Sequence, residues 1–357
     1  MTAIRHQIRL GFFGNLLGRN HGFVTTQGQI VADLFAAEGY DVICASSRVN
    51  RFYRLFDIAK TLFVRRKDID ICVLEVYSGL YMVLADTASR LCKLFGIRLI
   101  AVLHGGNLPE FVKRFPRWSC GVLGRADMIT APSGFLASKI GGEFEIRVIP
   151  NVLDIGPYTF RLRKNICPKL IWMRSFHSLY NPHMALQVLE CLQRSFPDAS
   201  LVMAGVDKGM EPELKTTAAE KNLNVRFPGF LSAEAKLKEF ADADIYINTT
   251  RIDNMPVSVL EACAMGLPVV ATNVGGIPYL LSDGENALLV ENENAGQMAA
   301  AIERLLVDPE LVETLSANGR ILAERSGWPT VRGLWETAFA DVMPEPAAEA
   351  EFSTGRA

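Results

Sequence analysis

Short, unbroken apolar runs recur along the chain, and most are followed by a stretch with helical spacing. Ile8–Phe13 ends at Gly14, and a loop rich in Gly and Asn follows over residues 15–22. Gln27–Glu38 then places Ile30, Val31, Leu34 and Phe35 on one helical face, with Gly39 as its C-cap. Asp41–Ala45, Ile69–Val76, Leu99–Leu103, Met128–Ala131 and Arg147–Pro150 continue the strand series, and the spacing predicts a helix over Met82–Phe95. A strand that is apolar on both faces must be covered on both faces. The alternation therefore predicts an α/β fold, a parallel sheet between layers of helices.

The pattern starts again after Asn151. Further strands are predicted at Lys169–Met173, Ala199–Ala204, Val225–Phe227, Ile245–Asn248, Pro268–Thr272 and Ala287–Val290. Helices are predicted at Met184–Ser195, Pro212–Lys221, Lys236–Ala241, Val257–Met265, Ala295–Val307 and Pro309–Arg325. The chain thus divides into a first domain over 1–155, a linker over 156–168 that holds Gly156, Pro157 and Pro168, and a second domain over 169–327. A helix over 328–343 is expected to cross back to the first domain, and the Pro-, Ala- and Glu-rich tail 344–357 to be disordered. The length of 357 residues agrees with two units, because single cores seldom grow past ~250–300 residues. Ligands of such sheets bind beyond the carboxyl ends of the strands, so two facing halves would hold a site in the cleft between them.

Composition narrows the class. Apolar residues make up 49% and charged residues 21%, as in a globular soluble chain. No apolar run approaches the ~18–20 residues of a membrane span. The first residues lack the ordered basic, apolar and small-residue regions of a secretory leader. The 7 cysteines are scattered with no CxxC pair, which argues against a disulfide framework or a zinc site and for a reducing cytoplasm. Charge is uneven: residues 1–160 carry 19 Lys and Arg against 13 Asp and Glu (+6), and residues 161–357 carry 18 against 26 (−8). The basic half suits an anionic surface or substrate.

The richest stretch is Asp253-Asn-Met-Pro-Val-Ser-Val-Leu-Glu261-Ala-Cys-Ala-Met-Gly-Leu-Pro-Val-Val-Ala271. Pro256 suits a first helical position, and Gly266 ends the helix. Glu261 is the only charge between Val257 and Ala271, so it must be paired or face a polar ligand. Asp253 stands at the helix mouth, where free N–H groups and the helix dipole favour a phosphate. Arg174 follows the strand ending at Met173, and its guanidinium fork suits a diphosphate. His104 opens His-Gly-Gly-Asn107 at another strand end. A buried salt bridge for Glu261, a solvated Arg174 and a capped structural His104 are the alternative readings.

The Asp253–Ala271 pattern, an acid followed eight residues later by Glu and then by Ala-x-Ala-x-Gly-x-Pro-Val-Val-Ala, resembles GT4-type retaining glycosyltransferases (glycosyl transferases group 1) with the GT-B fold. Ala241–Asn248, Gly275-Gly276, Asp283–Val290, Val225–Phe230 and Ile149–Asp154 resemble neighbouring segments of that family. The resemblance spans residues 8–340 and is strongest over 225–290. It implies two Rossmann-like domains facing each other across a cleft, an acceptor-binding first domain and a donor-binding second one. It implies that Glu261 holds the donor ribose and that Asp253 contacts the transferred sugar, where most members carry Glu. Asn254, Val257 and Ser258 would face the sugar or diphosphate, Gly229 and Phe230 the base, Arg174 the diphosphate and His104 the donor sugar. Arg19 and Gly22 of the first glycine loop would approach the donor phosphates. The Lys that usually follows the family's Arg is missing, and Asn181-Pro182 stands near its place.

The substrate so implied is a nucleotide diphosphate sugar, UDP- or GDP-linked, with no cofactor, no metal and no nucleic acid. The acceptor would be a glycan or a lipid-linked hydroxyl in cell-surface polysaccharide or glycolipid assembly, and the place cytoplasmic or peripheral on a membrane. Asp68-Ile-Asp70 and Asp242-Ala-Asp244 mimic a metal motif, but each merely precedes an apolar strand. Arg51–Lys67 is basic and amphipathic, with Phe52, Leu55, Phe56, Ala59, Leu62 and Phe63 on one face. It reads either as a helix packed on its own sheet or as an attachment to anionic lipid. The competing function is a glycosyltransferase-like subunit that binds a nucleotide sugar or a partner without turnover.

Overall fold

The computed structural model describes residues 8–19, 25–142 and 144–343. The first domain runs β1 (Arg9–Phe13), α1 (Gln27–Ala37), β2 (Asp41–Ala45), α2 (Arg51–Val64), β3 (Ile71–Val76), α3 (Tyr81–Phe95), β4 (Arg98–Leu103), α4 (Leu108–Arg114), α5 (Pro116–Leu123), β5 (Met128–Ala131), α6 (Gly134–Ile140) and β6 (Ile146–Val148). The second runs β7 (Lys169–Met173), α7 (Pro182–Leu192), β8 (Ser200–Ala204), α8 (Glu211–Glu220), β9 (Val225–Gly229), α9 (Ala233–Asp242), β10 (Ile245–Asn248), α10 (Val257–Ala264), β11 (Val269–Thr272), α11 (Ile277–Leu280), β12 (Leu288–Val290), α12 (Ala295–Val307) and α13 (Pro309–Arg325). The last helix, α14 (Trp328–Val342), returns to the first domain.

Each domain holds a six-stranded parallel sheet, in the orders β2-β1-β3-β4-β5-β6 and β12-β11-β10-β7-β8-β9. Helices cover both faces, and β3 and β10 are buried along their whole length. The strand order reverses between β1 and β3 in one sheet and between β7 and β10 in the other. Crevices of this kind, at the carboxyl ends of strands, are where open α/β sheets bind ligands.

Local chemistry sets the helix ends. Side chains of Thr26, Asn50, Ser133 and Ser232 cap α1, α2, α6 and α9, and Gly96 closes α3 in the left-handed region at φ 69°. Four helices had no counterpart in the sequence reading: α4, α5, α6 and α11, none longer than 8 residues. Pro256 is the N-cap of α10 in extended conformation (ψ 116°), one position before the first helical residue expected for it.

The chain passes between the domains twice, once after β6 and once at Ser326–Gly327. The two crossings bond to each other, Leu153 N donating to Ser326 O at 2.8 Å with a bridge between Leu153 and Gly327. Arg163 fixes the first crossing to the second domain by donating to the main-chain oxygens of Met265 and Ala243, each at 3.0 Å. From α14, Val331, Trp335, Ala338 and Phe339 enter the first domain's core, where Phe339 lies 5.2 Å from Phe35 between ring centres.

Candidate active site

Between the carboxyl ends of the two sheets lies a cavity of about 290 Å³. Tyr77, His104, Gly106 and Asn151 line it from the first domain, and Tyr180, Asp253, Asn254 and Met255 from the second. The domains touch through polar contacts at its rim. Ser133 Oγ donates to Asn254 Oδ1, Asn151 Nδ2 donates to Met255 O at 2.9 Å, and the Ser138 and Tyr279 hydroxyls lie 3.0 Å apart.

Arg174 leaves the end of β7 and is nearly buried. Its guanidinium pairs with the Asp253 carboxylate, donates to Ser258 Oγ at 3.3 Å and stacks 4.0 Å from the centre of the Tyr180 ring. Burial works against its charge, but Asp253 and the Tyr180 and Tyr246 hydroxyls outweigh that, so its pKa lies above the usual guanidinium value. Asp253 also accepts from its neighbour Asn254 N at 2.8 Å. Among the described residues no side chain caps α10, whose first residues are Val257 and Ser258, and Arg174 reaches Ser258 at this end. A buried cation in front of an uncapped helix start is a site for an anion. Tyr246 Oη donates to Ser258 Oγ at 2.8 Å and holds that hydroxyl in position.

Glu261, one helical turn further into α10, is buried. Tyr158 Oη donates to its Oε1 at 2.8 Å, and Lys236 of α9 pairs with the same oxygen. The salt bridge foreseen as the alternative reading therefore exists, and both bonds fall on Oε1, so Oε2 remains to accept from a ligand. The structure does not bring Gly229 and Phe230 to the cavity. They stand at the end of the edge strand β9, where Gly229 has φ 74° and the Phe230 ring is exposed. The Arg19 side chain and Gly22 lie outside the described residues, and the backbone of Leu17–Arg19 forms a single 3-10 turn.

His104 sits at the end of β4 with its ring stacked on Tyr77 at 4.9 Å. Burial lowers its pKa to about 4, so the imidazole is neutral at ordinary pH. Its Nε2 lies 3.8 Å from Glu75 Oε1, too far for a hydrogen bond, and is buried without a partner among the described residues. Glu75 is the residue that sequence reasoning missed. Its carboxylate accepts from Asn15 N at 2.9 Å and from Gly28 N, in the first turn of α1, at 3.0 Å. Burial pushes its pKa up to about 7, against the pull of those two amides. The signal was the same as for Glu261: a lone charge in an otherwise apolar run, here Ile71–Val76. The two Asp-x-Asp pairs serve elsewhere, Asp70 binding Arg9 at 2.6 Å, Asp68 binding Arg65 at 2.6 Å and Asp244 binding Arg161 at 3.1 Å.

Two facing Rossmann-like domains with the site in their cleft define the GT-B class of glycosyltransferase folds. The fold is similar to that of HepE from Anabaena, solved in complex with UDP (17% identity, TM-score 0.72, 93% of this chain and 100% of that one). It is also similar to sucrose-phosphate synthase from Thermosynechococcus elongatus (16% identity, TM-score 0.77, 94% and 100%). Residues 164–321 match the family described as glycosyl transferases group 1. Relatives include a D-inositol 3-phosphate glycosyltransferase of Paenarthrobacter aurescens, 26% identical over 74% of this chain and 72% of the relative. A GDP-mannose-dependent alpha-(1-6)-phosphatidylinositol monomannoside mannosyltransferase of Mycobacterium tuberculosis is 24% identical over 92% and 90%.

Proposed function

We propose that this chain transfers a sugar from a nucleoside diphosphate sugar, UDP- or GDP-linked, to a hydroxyl of a glycan or lipid-linked acceptor, with retention at the anomeric carbon. The observation that carries the reading is the meeting of Arg174, Asp253 and Ser258 before the start of α10, with Asp253 itself on the wall of a cavity that His104 lines from the other side. In this reading the diphosphate takes Arg174 and the amides of Val257 and Ser258. Asp253 and His104 meet the sugar, and Glu261 meets the ribose hydroxyls. The new C–O bond forms on the face from which the diphosphate departs, and a phosphate oxygen of the leaving group takes the proton of the acceptor hydroxyl. The charge that develops on that group falls on Arg174 and the helix dipole, and no metal or cofactor enters the scheme. The reaction would serve cell-surface polysaccharide or glycolipid assembly on the cytoplasmic side.

A second reading has one observation in its favour. Among the described residues no Lys or Arg lines the cavity, and Arg174 beside it is held by Asp253. A weakly active or inactive subunit that binds a nucleotide sugar would look the same. Thermal stability with UDP, GDP, ADP and their sugar conjugates, followed by release of free nucleotide, separates the two. A ligand at 100 times its Kd adds about 2.7 kcal/mol of stability. The first reading expects a shift with one nucleotide class, lost in Glu261→Ala and Arg174→Met, together with turnover. A shift without turnover for any acceptor supports the second. No shift with any nucleotide overturns both.

A further inference from the structure

The face of α2 that carries its phenylalanines points away from the protein. Arg54, Ile58 and Leu62 are the buried residues of this helix. Phe52, Phe56 and Phe63 are 83%, 67% and 58% exposed. At 3.6 residues per turn the three rings fall within ~40° of one another, about 140° round the helix from the buried stripe, and they span ~16 Å along it. Val49, Tyr53 and Val64 are exposed beside them, as are Leu80 and Leu94 at the two ends of α3, which packs alongside. A row of solvent-facing Phe rings on one helix exceeds the scattered single apolar residues of an ordinary surface.

Cations surround the row. Arg48, Arg51, Lys60, Arg66 and Lys67 are exposed, Arg66 lies 5.0 Å from the centre of the Phe63 ring, and Arg65 is the one paired with Asp68. Asp57 is the only acid within α2 itself. Apolar rings framed by Lys and Arg match the boundary of an anionic bilayer, where rings enter the acyl region and cations meet headgroup phosphates. A second copy of the chain fits less well, because a symmetric pair would set these like charges against each other.

We infer that α2 docks the protein on an anionic lipid surface. The docking end also reaches the cleft. Arg54 Nη1 donates to Asn15 Oδ1 at 2.6 Å, Asn15 N donates to Glu75, and Glu75 lies beside His104. A bilayer held by Phe52 and Phe56 therefore adjoins the first domain's wall of the cavity and can present a lipid-linked hydroxyl there. The lipid-linked acceptor rests on the proposed transferase reading, but the docking surface does not.

Full-length chain is spun with vesicles of phosphatidylcholine alone and of phosphatidylcholine with phosphatidylglycerol. Pelleting with the anionic vesicles only, reversed by added salt, is expected. The triple variant Phe52→Ser/Phe56→Ser/Phe63→Ser abolishes it, with the melting temperature held because no buried side chain is touched. Lys60→Ser/Lys67→Ser weakens binding about 25-fold, roughly fivefold per cation. No pelleting, equal pelleting on neutral vesicles, or pelleting that survives the triple Phe change overturns the inference. So does a wild-type dimer in sedimentation velocity that the triple change makes monomeric, since the face would then belong to a second copy. Nucleotide-induced stabilisation is measured on the same samples. Lipid binding without a nucleotide shift leaves the docking surface standing and removes the transferase reading, and the converse result does the opposite.

Discussion

Replacing Glu75 by Gln should flatten the pH dependence of the first domain's stability. In the folded chain burial holds the Glu75 carboxyl at about 7, against an ordinary value of 4.5. A carboxyl whose folded pKa is raised binds its proton more tightly in the native state. Its contribution to stability is complete below pH ~4.5 and is lost as pH rises through 7. With those two values the loss between about pH 5 and about pH 8 is roughly 2–3 kcal/mol. His104 stays neutral across this window in the folded chain, where burial keeps its pKa at about 4, and its ionisation in the unfolded chain is common to both proteins and cancels. The variant turns one carboxyl oxygen into an amide donor that faces Asn15 N or Gly28 N, at a cost of ~1–3 kcal/mol. That cost is the same at every pH, so it cancels when each protein is compared with itself. Urea titrations of both proteins across this range, at constant ionic strength, measure the difference. Wild type should lose about 2–3 kcal/mol more than Glu75→Gln. Equal losses would mean that Glu75 ionises as an ordinary surface carboxylate does, and the reasoning from its burial would be refuted.

Gly276→Ala should abolish nucleotide-induced stabilisation and lower the melting temperature, because a Cβ there would stand 1.8 Å from Asn254 O and displace the Asp253–Asn254 backbone. A thermal melt with and without nucleotide reads both effects. Phe339→Ala should cost about 3–5 kcal/mol, since it empties a buried ring site between α14 and Phe35, and a urea titration checks it. Gly333→Ala should stabilise by about 1 kcal/mol, a rise of a few degrees in melting temperature, because the position is inside α14 and a Cβ meets nothing within 4 Å.

Parallel strands buried on both faces write themselves into a sequence as unbroken apolar runs, and that is why β3, β4, β7, β10 and β11 could be read with errors of a residue or two at their ends. Helices of 8 residues or fewer write little unless a motif marks them, as it does α10, so α4, α5, α6 and α11 were invisible. Glu261 and Asp253 stood out because one contiguous segment carries them with the helix that they serve. Glu75 carries the same signal, but its meaning lies in the pairing of β1 with β3 and in the approach of α1, contacts across 47 to 60 residues of chain. Lys236 looked like any surface lysine until α9 was set against α10. The periodicity of α2 correctly announced an amphipathic helix and grouped Leu62 with Phe52, Phe56 and Phe63. The structure separates them, Leu62 inward and the rings outward, because periodicity measures segregation of side chains and does not say which side meets the sheet.

The bonded pair of crossings at Leu153 and Ser326–Gly327 has a mechanical consequence. Two domains on a single tether can tumble about any axis. Two domains joined by adjacent strands that are tied to each other behave as a door on a pin: rotation about the line through the crossings is cheap, and twist or translation would have to break the Leu153–Ser326 bond. Cutting the chain at one crossing would leave the leaf hung on the other. Opening of the cleft would thus have nearly one coordinate, and the contacts of Asn254 with Ser133 and of Tyr279 with Ser138 would have to part along it.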